Sequence, residues 1–271
     1  VNHSVHEYDV IAPVSHARAA TSRHWKIKKL PGGGPHENYD FMLVNDVYDL
    51  QHIAANNKGR YILKNDIDAG VTRTDRWNDG AGFNPIGQFE GKFDGAGHTI
   101  RNLYIDRPTT DYVGLFQILY QDVYIGNVTL EGGSVQGRNY AGGLAGDLRD
   151  GKVIYVRNFN QVKGNLAVGG IAGGMVGMGS HGVWMDNVYN GGAVGTLGVS
   201  DEVGGIVGRL FKGVIQSAAN VGSVNGKQRV GGIVGIFSFG FESLENVYNA
   251  GVITGQSIVG GVVGGIPGAG R

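Results

Sequence analysis

The chain has 271 residues, no cysteine, and 23 basic against 23 acidic side chains, so its formal net charge is zero. That balance offers no bulk attraction to nucleic acid or to an anionic membrane surface, and the lack of cysteine rules out disulfide stapling. Glycine or a polar residue interrupts every apolar stretch, which argues against a membrane-spanning helix.

Residues 1–40 differ from the rest. They hold five of the eight histidines (His3, His6, His16, His24 and His36) and a Pro31-Gly-Gly-Gly-Pro35 run. This segment is expected to be an N-terminal arm or cap, because so short a stretch without a disulfide can hardly bury a core of its own. His3-x-x-His6 with Asp9 has ligand types at a usable spacing, but nothing in the sequence fixes them on one rigid element, so no metal site is assigned.

The next segment predicts one short helix near 46–55. Asn45 or Asp46 serves as its cap, and Val47, Leu50, Ile53 and Ala54 form its apolar side. Tyr61-Ile-Leu-Lys returns to strand. Asp66 and Asp68 follow on one side of an extended segment, but two carboxylates fall far short of a calcium shell. Residues 70–100 read as a polar decoration around Trp77, which is either a recognition aromatic or a lid over the first coils.

From residue 141 onward one phrase recurs: AGGLAG at 141–146, VGGIAG at 168–173, VGGIVG at 203–208 and 230–235, and VGGVVG at 259–264. The intervals are 27, 35, 27 and 29 residues, the signature of a solenoid. A second phrase recurs in phase, with Asn127, Asn158, Asn187, Ser217 and Asn246 in its matching position. Ile125, Val156, Met185, Ile215 and Leu244 stand two places earlier; Val128, Phe159, Val188, Ala218 and Val247 stand one place later. A further amide column holds Asn190, Asn220 and Asn249, with Gln161 in the earlier copy.

Short Val/Ile-rich runs bounded by glycine exclude helical repeats, and 50 glycines would ruin helices. The fold expected is all-β: a right-handed parallel β-helix over residues 41–271, with about eight or nine coils spaced about 4.8 Å apart. The Asn127, Asn158, Asn187, Ser217 and Asn246 column is read as a buried hydrogen-bonded ladder, or else as turn caps facing water. Gly132, Gly164, Gly195, Gly226 and Gly255 are read as positive-φ turn residues. The paired glycines of the repeated phrase suggest a strand pressed against another wall.

Two kinds of side chain are candidates for function. Loops between the Gly-rich and Asn-bearing strands carry Met178, His181, Phe211, Phe237, Phe239 and Phe241, and such inserts often fall on the binding face of a solenoid. With Trp77, the residues His181, Phe211, Phe237, Phe239 and Phe241 form the candidate binding set; if the loops curl inward, the same side chains are satellite core. Asp186 and Glu245 share an outward column with Arg157 and Gln216 as neighbours. They stand two coils apart, about 9.6 Å, too wide for a retaining glycosidase pair and marginal for an inverting one. They are a weak catalytic alternative, and no cofactor is implied.

The phrases Gly-Gly-Ile-Val-Gly and Glu-Asn-Val-Tyr-Asn-Ala-Gly resemble the GLUG repeats of bacterial secreted and surface proteins. The stretch Phe41–Ile105, with Phe83-Asn-Pro-Ile-Gly and Phe93-Asp-Gly-Ala-Gly-His-Thr-Ile, looks like the segment preceding such repeats in filamentous-haemagglutinin-like exoproteins. The likeness covers roughly residues 41–265. It implies an exported, adhesin-like passenger that meets a protein or glycan on a cell surface. GLUG repeats also accompany immunoglobulin-A-cleaving metallopeptidases outside their catalytic part, and the His-Glu-x-x-His motif of those enzymes is absent here. A structural module of a larger exoprotein or peptidase is the second reading, and a polysaccharide-degrading β-helix enzyme the third. The chain begins at Val1 without a signal-peptide pattern and ends on its last repeat, so the expectation is an excised segment, continued by further domains or covered by end-to-end self-association.

Overall fold

A computed structural model describes residues 7–12, 23–31, 38–178, 182–238 and 242–266. The protein is an all-β parallel solenoid. Its longest wall is built from strands Asn38–Val44, Arg60–Leu63, Lys92–Asp94, Val123–Glu131, Gly151–Asn158, Val183–Asn190, Gly213–Asn220 and Glu242–Glu245, each parallel to the next. A 7-stranded sheet from Ile86–Phe89 to Val263–Gly265 forms a second wall. A 5-stranded sheet from Asn139–Gly142 to Ser257–Gly260 carries the start of each Gly-rich phrase.

The described parts of the N-terminal arm are strands. Glu7–Ala12 pairs antiparallel with Arg23–Pro31, which pairs antiparallel with Asn38–Val44 at the edge of the first coil. The short helix follows as Val47–His52, continued by a 3-10 turn at Ile53–Ala55. Asp46 caps it: the Asp49 N–H donates to Asp46 Oδ1 at 2.8 Å. Val47, Leu50 and Ile53 are buried against the first coils.

Core composition changes along the axis. Tyr61, Phe83, Phe89, Phe93 and Phe116 fill the early coils, with the Phe89 and Phe116 rings 5.0 Å apart. Later coils are filled by aliphatic residues such as Ile171, Met175, Ile206, Val207, Ile233 and Val234. A second small cluster of Ala141, Val162, Val168, Val194, Val203, Val224 and Val230 packs separately in the later coils.

The register corrects one step of the repeat alignment. Ile125 lies beside Val153, not Val156, and Val153 beside Met185, Ile215 and Leu244 in turn. Val156 belongs to the next buried column, with Val128, Val188 and Ala218, while Phe159 is exposed. The expected register slipped by three residues in this coil, because Asn158 looked like a continuation of Asn127.

The same slip hid the ladder. Asn158, Asn190, Asn220 and Asn249 stand in register. Nδ2 of each donates to Oδ1 of the next, at 3.0, 2.8 and 2.7 Å. Each also donates to the carbonyl two residues on: Asn160, Gly192, Gly222 and Gly251. Of the expected ladder only Asn158 belongs. Asn127, Asn187, Ser217 and Asn246 share their column with Tyr155, and all five lie in the left-handed region, with φ of 51° to 54°. Asn187 and Asn246 are exposed, and Asn127 and Ser217 half-buried. Asparagine recurs there because it tolerates the left-handed conformation better than most residues.

The paired glycines have a steric cause. A Cβ on Gly170, Gly205 or Gly232 would lie 2.4 Å from the Cγ of Asn190, Asn220 or Asn249. A Cβ on Gly169, Gly204 or Gly231 would lie 2.0 Å from the carbonyl oxygen three residues on. The phrase therefore turns a corner directly over the amide ladder, instead of pressing flat on a far wall. Of the five glycines read as positive-φ turns, Gly132 (φ 68°) and Gly195 (φ 78°) are so; Gly164, Gly226 and Gly255 are not.

A candidate binding face on the long sheet

Strand alternation sets which side chains the long wall presents. In Val183–Asn190, Val183 and Met185 point into the core, so Trp184 points out. The left-handed residue of each coil then breaks the alternation. In Gly151–Asn158, Val153 and Val156 are both buried, while Ile154 and Tyr155 both lie between them on the outer side. Such a local kink re-aims side chains much as a bulge does. Tyr155 thereby stands well clear of the surface.

The outer face carries two stacked rows. Lys92, Tyr124, Lys152, Trp184, Val214 and Ser243 form one. Thr129, Arg157, Tyr189, Ala219 and Tyr248 form the other. Tyr155 (56%), Trp184 (38%), Tyr248 (62%) and Phe159 (40%) are all exposed. The Phe159 and Tyr189 rings lie 5.5 Å apart. Two depressions open on this face. Asp94, Asn127, Thr129, Tyr155 and Arg157 line one. The other has Lys152, Trp184 and Lys212 around a floor that includes Gly151, Gly182 and Gly213.

The residues singled out from sequence are scattered. Trp77 is partly buried against the core, its ring 5.0 Å from that of Tyr48, and lines a separate cleft with Arg73 and Arg76 by the first coils. It is thus both lid and cleft wall. Phe211 and Met178 are exposed, whereas Phe237 packs partly into the core. His181, Phe239 and Phe241 lie outside the described residues. Asp186 and Glu245 do share a column, with Gln216 between them. The neighbour of Asp186 on its other side is Ile154, not Arg157, because of the same three-residue slip. Sequence reading missed the aromatic rows because no single type repeats: Tyr124, Lys152 and Trp184 share a place in the coil but nothing in the alphabet.

Charged groups elsewhere are mostly paired with one another. Asp66 accepts from the Thr99 N–H at 3.0 Å and Arg101 Nη1 at 2.7 Å, with His98 Nδ1 at 3.2 Å. Those bonds, the Thr99 one foremost, pull its carboxyl down to about 2. Asp68 is engaged by Asn102 and by the Gly70 N–H. At the Gly-rich corner, the Tyr112 and Tyr140 rings stack at 4.9 Å. Arg149 lies over Tyr112 and bonds Asp147 at 2.7 Å. Arg209 bonds Glu202 and reaches Tyr140 Oη at 2.8 Å. Asp147 is buried, which pushes its carboxyl above the usual range despite Arg149. Among the described residues, no three His, Cys, Asp or Glu side chains come together as a metal site. No helix there is long and apolar enough to cross a membrane.

Over 148 residues the chain is 39% identical to Halomucin of Haloquadratum walsbyi, a match covering 52% of this chain and 2% of that protein. It thus spans a very small part of the curated relative's length. Its fold is similar to the crystal structure of an immunoglobulin A1 protease candidate from Bacteroides ovatus, with a TM-score of 0.66 and 24% identity, over 82% of this chain and 70% of that one. At that identity the likeness speaks for the fold. No family model matches the chain. The comparisons and the structure agree on a parallel β-solenoid.

Proposed function

We propose that this chain is a non-catalytic, adhesin-like region of an exported bacterial surface protein, offering the outer face of its long sheet to a protein or glycan on a cell surface. The observation carrying this reading is the outer face of the long sheet, where exposed Trp184 shares one row with Lys152, exposed Tyr248 shares the other with Arg157, and exposed Tyr155 stands in the left-handed column between them. Exposed aromatics beside cations are the composition of a recognition surface. The GLUG-like phrases and the likeness to Halomucin support export and a surface location. Catalysis lacks comparable support. Asp186 and Glu245 are separated by Gln216, at about 9.6 Å by coil spacing, too wide for a retaining pair and marginal for an inverting one.

The test is binding of the intact chain to arrays of glycans, matrix proteins and bacterial surfaces, set beside a Tyr155→Ala/Tyr248→Ala double variant. The reading expects at least one saturable ligand whose binding the double variant weakens. Saturable binding to none of them, or turnover of a glycan by the chain, would overturn it. A structural module of a larger exoprotein remains the second reading, favoured by the antiparallel strands on the first coil's edge. In that case the aromatic face is expected to bind another part of the same polypeptide.

A further inference from the structure

The depression around Trp184 has features that the rest of the outer face lacks. Its floor includes Gly151, Gly182 and Gly213, all with positive φ, and at Gly182 an added Cβ would meet nothing within 4 Å among the described residues. Lys152 precedes Trp184 by one coil in the same row, and Lys212 stands on the other side, next to Gly213. Among the described residues neither ammonium has an ion-pair partner. Asp122, the carboxylate at the rim, is taken up by Lys92, with Nζ 3.2 Å from Oδ2. The hollow therefore combines one open aromatic face with two unneutralised cations.

That chemistry selects its occupant. An indole face attracts the polarised C–H groups of a pyranose ring, and two flanking ammonium groups call for an anion on the same ligand. A neutral sugar leaves the lysines unanswered, and a small inorganic anion leaves the ring unanswered. The row also has a matching period. Tyr124 and Trp184 lie two coils apart with Lys152 between them, and one coil step of about 4.8 Å is close to the advance of one pyranose unit in an extended chain. A polysaccharide lying along the solenoid axis would meet ring, cation and ring in turn.

We propose that the Trp184 depression is a subsite for a carboxylate-bearing sugar, a uronate, within an extended acidic polysaccharide. The inference rests on the adhesin-like reading above and names its ligand class. Trp184 supplies the platform, and Lys152 and Lys212 hold the carboxylate from either side.

The experiment is calorimetric titration of the whole chain with uronate-bearing oligosaccharides (polygalacturonate, alginate and hyaluronan fragments). The same oligosaccharides after carboxyl reduction, and a sulfated dextran, form the comparison arms. We expect the uronate chains to bind, and the reduced chains to bind at least about tenfold more weakly. Binding should also weaken with salt, as an ammonium–carboxylate contact requires. Trp184→Ala and the double variant Lys152→Gln/Lys212→Gln should each lower affinity about tenfold or more, and the double variant should lose most of the salt dependence. The lysine variant changes one exposed and one half-buried side chain and keeps the fold testable should the Trp184 variant misfold, and tryptophan fluorescence should shift on titration of the parent chain but not of Trp184→Ala. Equal binding of native and carboxyl-reduced sugars, or preference for the sulfated dextran, would overturn the uronate assignment. So would uronate binding that ignores both variants. Failure with uronates while a neutral glycan or protein binds elsewhere overturns this inference and leaves the adhesin-like reading standing. Binding to nothing at all overturns both.

Discussion

A Cβ placed on Gly205 would lie 2.4 Å from the Cγ of Asn220 and 2.1 Å from the carbonyl oxygen of Gly232. The relationship explains why the second glycine of the repeated phrase and the ladder asparagine occur together in every coil that has both. The chain can fold its Gly-rich corner over a buried amide only if the corner carries no side chain. Gly205→Ala is therefore expected to destabilise by about 3 kcal/mol, the upper range for overpacking, because one of the clashing atoms is backbone and cannot rotate away. Reversible denaturant unfolding of this variant measures it. A loss below about 0.5 kcal/mol would mean the corner relaxes freely.

The amide ladder makes a second, sharper comparison. Asn190 accepts from Asn158 and donates to Asn220 and to the Gly192 carbonyl, all out of water. Asn190→Leu keeps the volume but leaves those groups unpaired, at about 1–3 kcal/mol for each one stranded. Asn187, three residues earlier, is exposed with φ 51°. Asn187→Leu should cost only the left-handed penalty, about 1–2 kcal/mol, and Asn187→Gly should recover it. The order of midpoints under denaturant should then be Asn187→Gly, Asn187→Leu, Asn190→Leu from most to least stable. Asn190→Leu matching Asn187→Leu would show that the ladder contributes little.

The architecture was legible in the sequence because it is periodic. Five copies of one phrase and β-rich runs of four to six residues specify a parallel solenoid without further help. The short helix was legible from its capping side chain and apolar spacing. What failed was a choice between two asparagine columns three residues apart. Both recur because both positions suit asparagine, one for a left-handed backbone and one for a buried amide, and only pairing across coils tells them apart. The candidate binding face was less legible still. Its residues are related by the strand register, so Lys152 and Trp184 become neighbours through a coil of chain that carries no common motif. The loop residues Phe211 and Phe237 stood out in sequence for being aromatic, yet they end up one exposed and one partly buried.

The early coils should be the most sensitive to loss of bulk. Phe89 is fully buried, with its ring 5.0 Å from Phe116 and 6.2 Å from Tyr61. Phe89→Ala should cost about 3–5 kcal/mol. Because contacts in a solenoid run between neighbouring coils, hydrogen exchange should quicken first in strands 60–63, 86–89 and 116–119. Uniform loss of protection along the whole chain would instead indicate a single cooperative unit.

Two carboxylates are set against each other in their response to pH. Asp147 is buried, and desolvation raises its pKa against the pull of Arg149. Across the window from the ordinary carboxylate value up to that raised value, the folded state holds more protons than the unfolded one. Stability contributed by this group is present below the window and falls as pH rises through it. Asp66 has the opposite sign. The Thr99 N–H and Arg101 bring its carboxyl to about 2, so its contribution is present above the ordinary value near 3.8 and is lost as pH falls toward 2. Asp147→Asn removes the first dependence and leaves the second. Its stability relative to the parent chain should therefore improve as pH is raised from about 3 to 7, in denaturant unfolding at each pH. Arg101→Met acts on the other group: it should raise the Asp66 pKa in an NMR titration, yet leave it below 3.8 because the Thr99 bond remains. A relative stability of Asp147→Asn that declines with pH would mean the Arg149 pairing, not burial, governs this carboxylate.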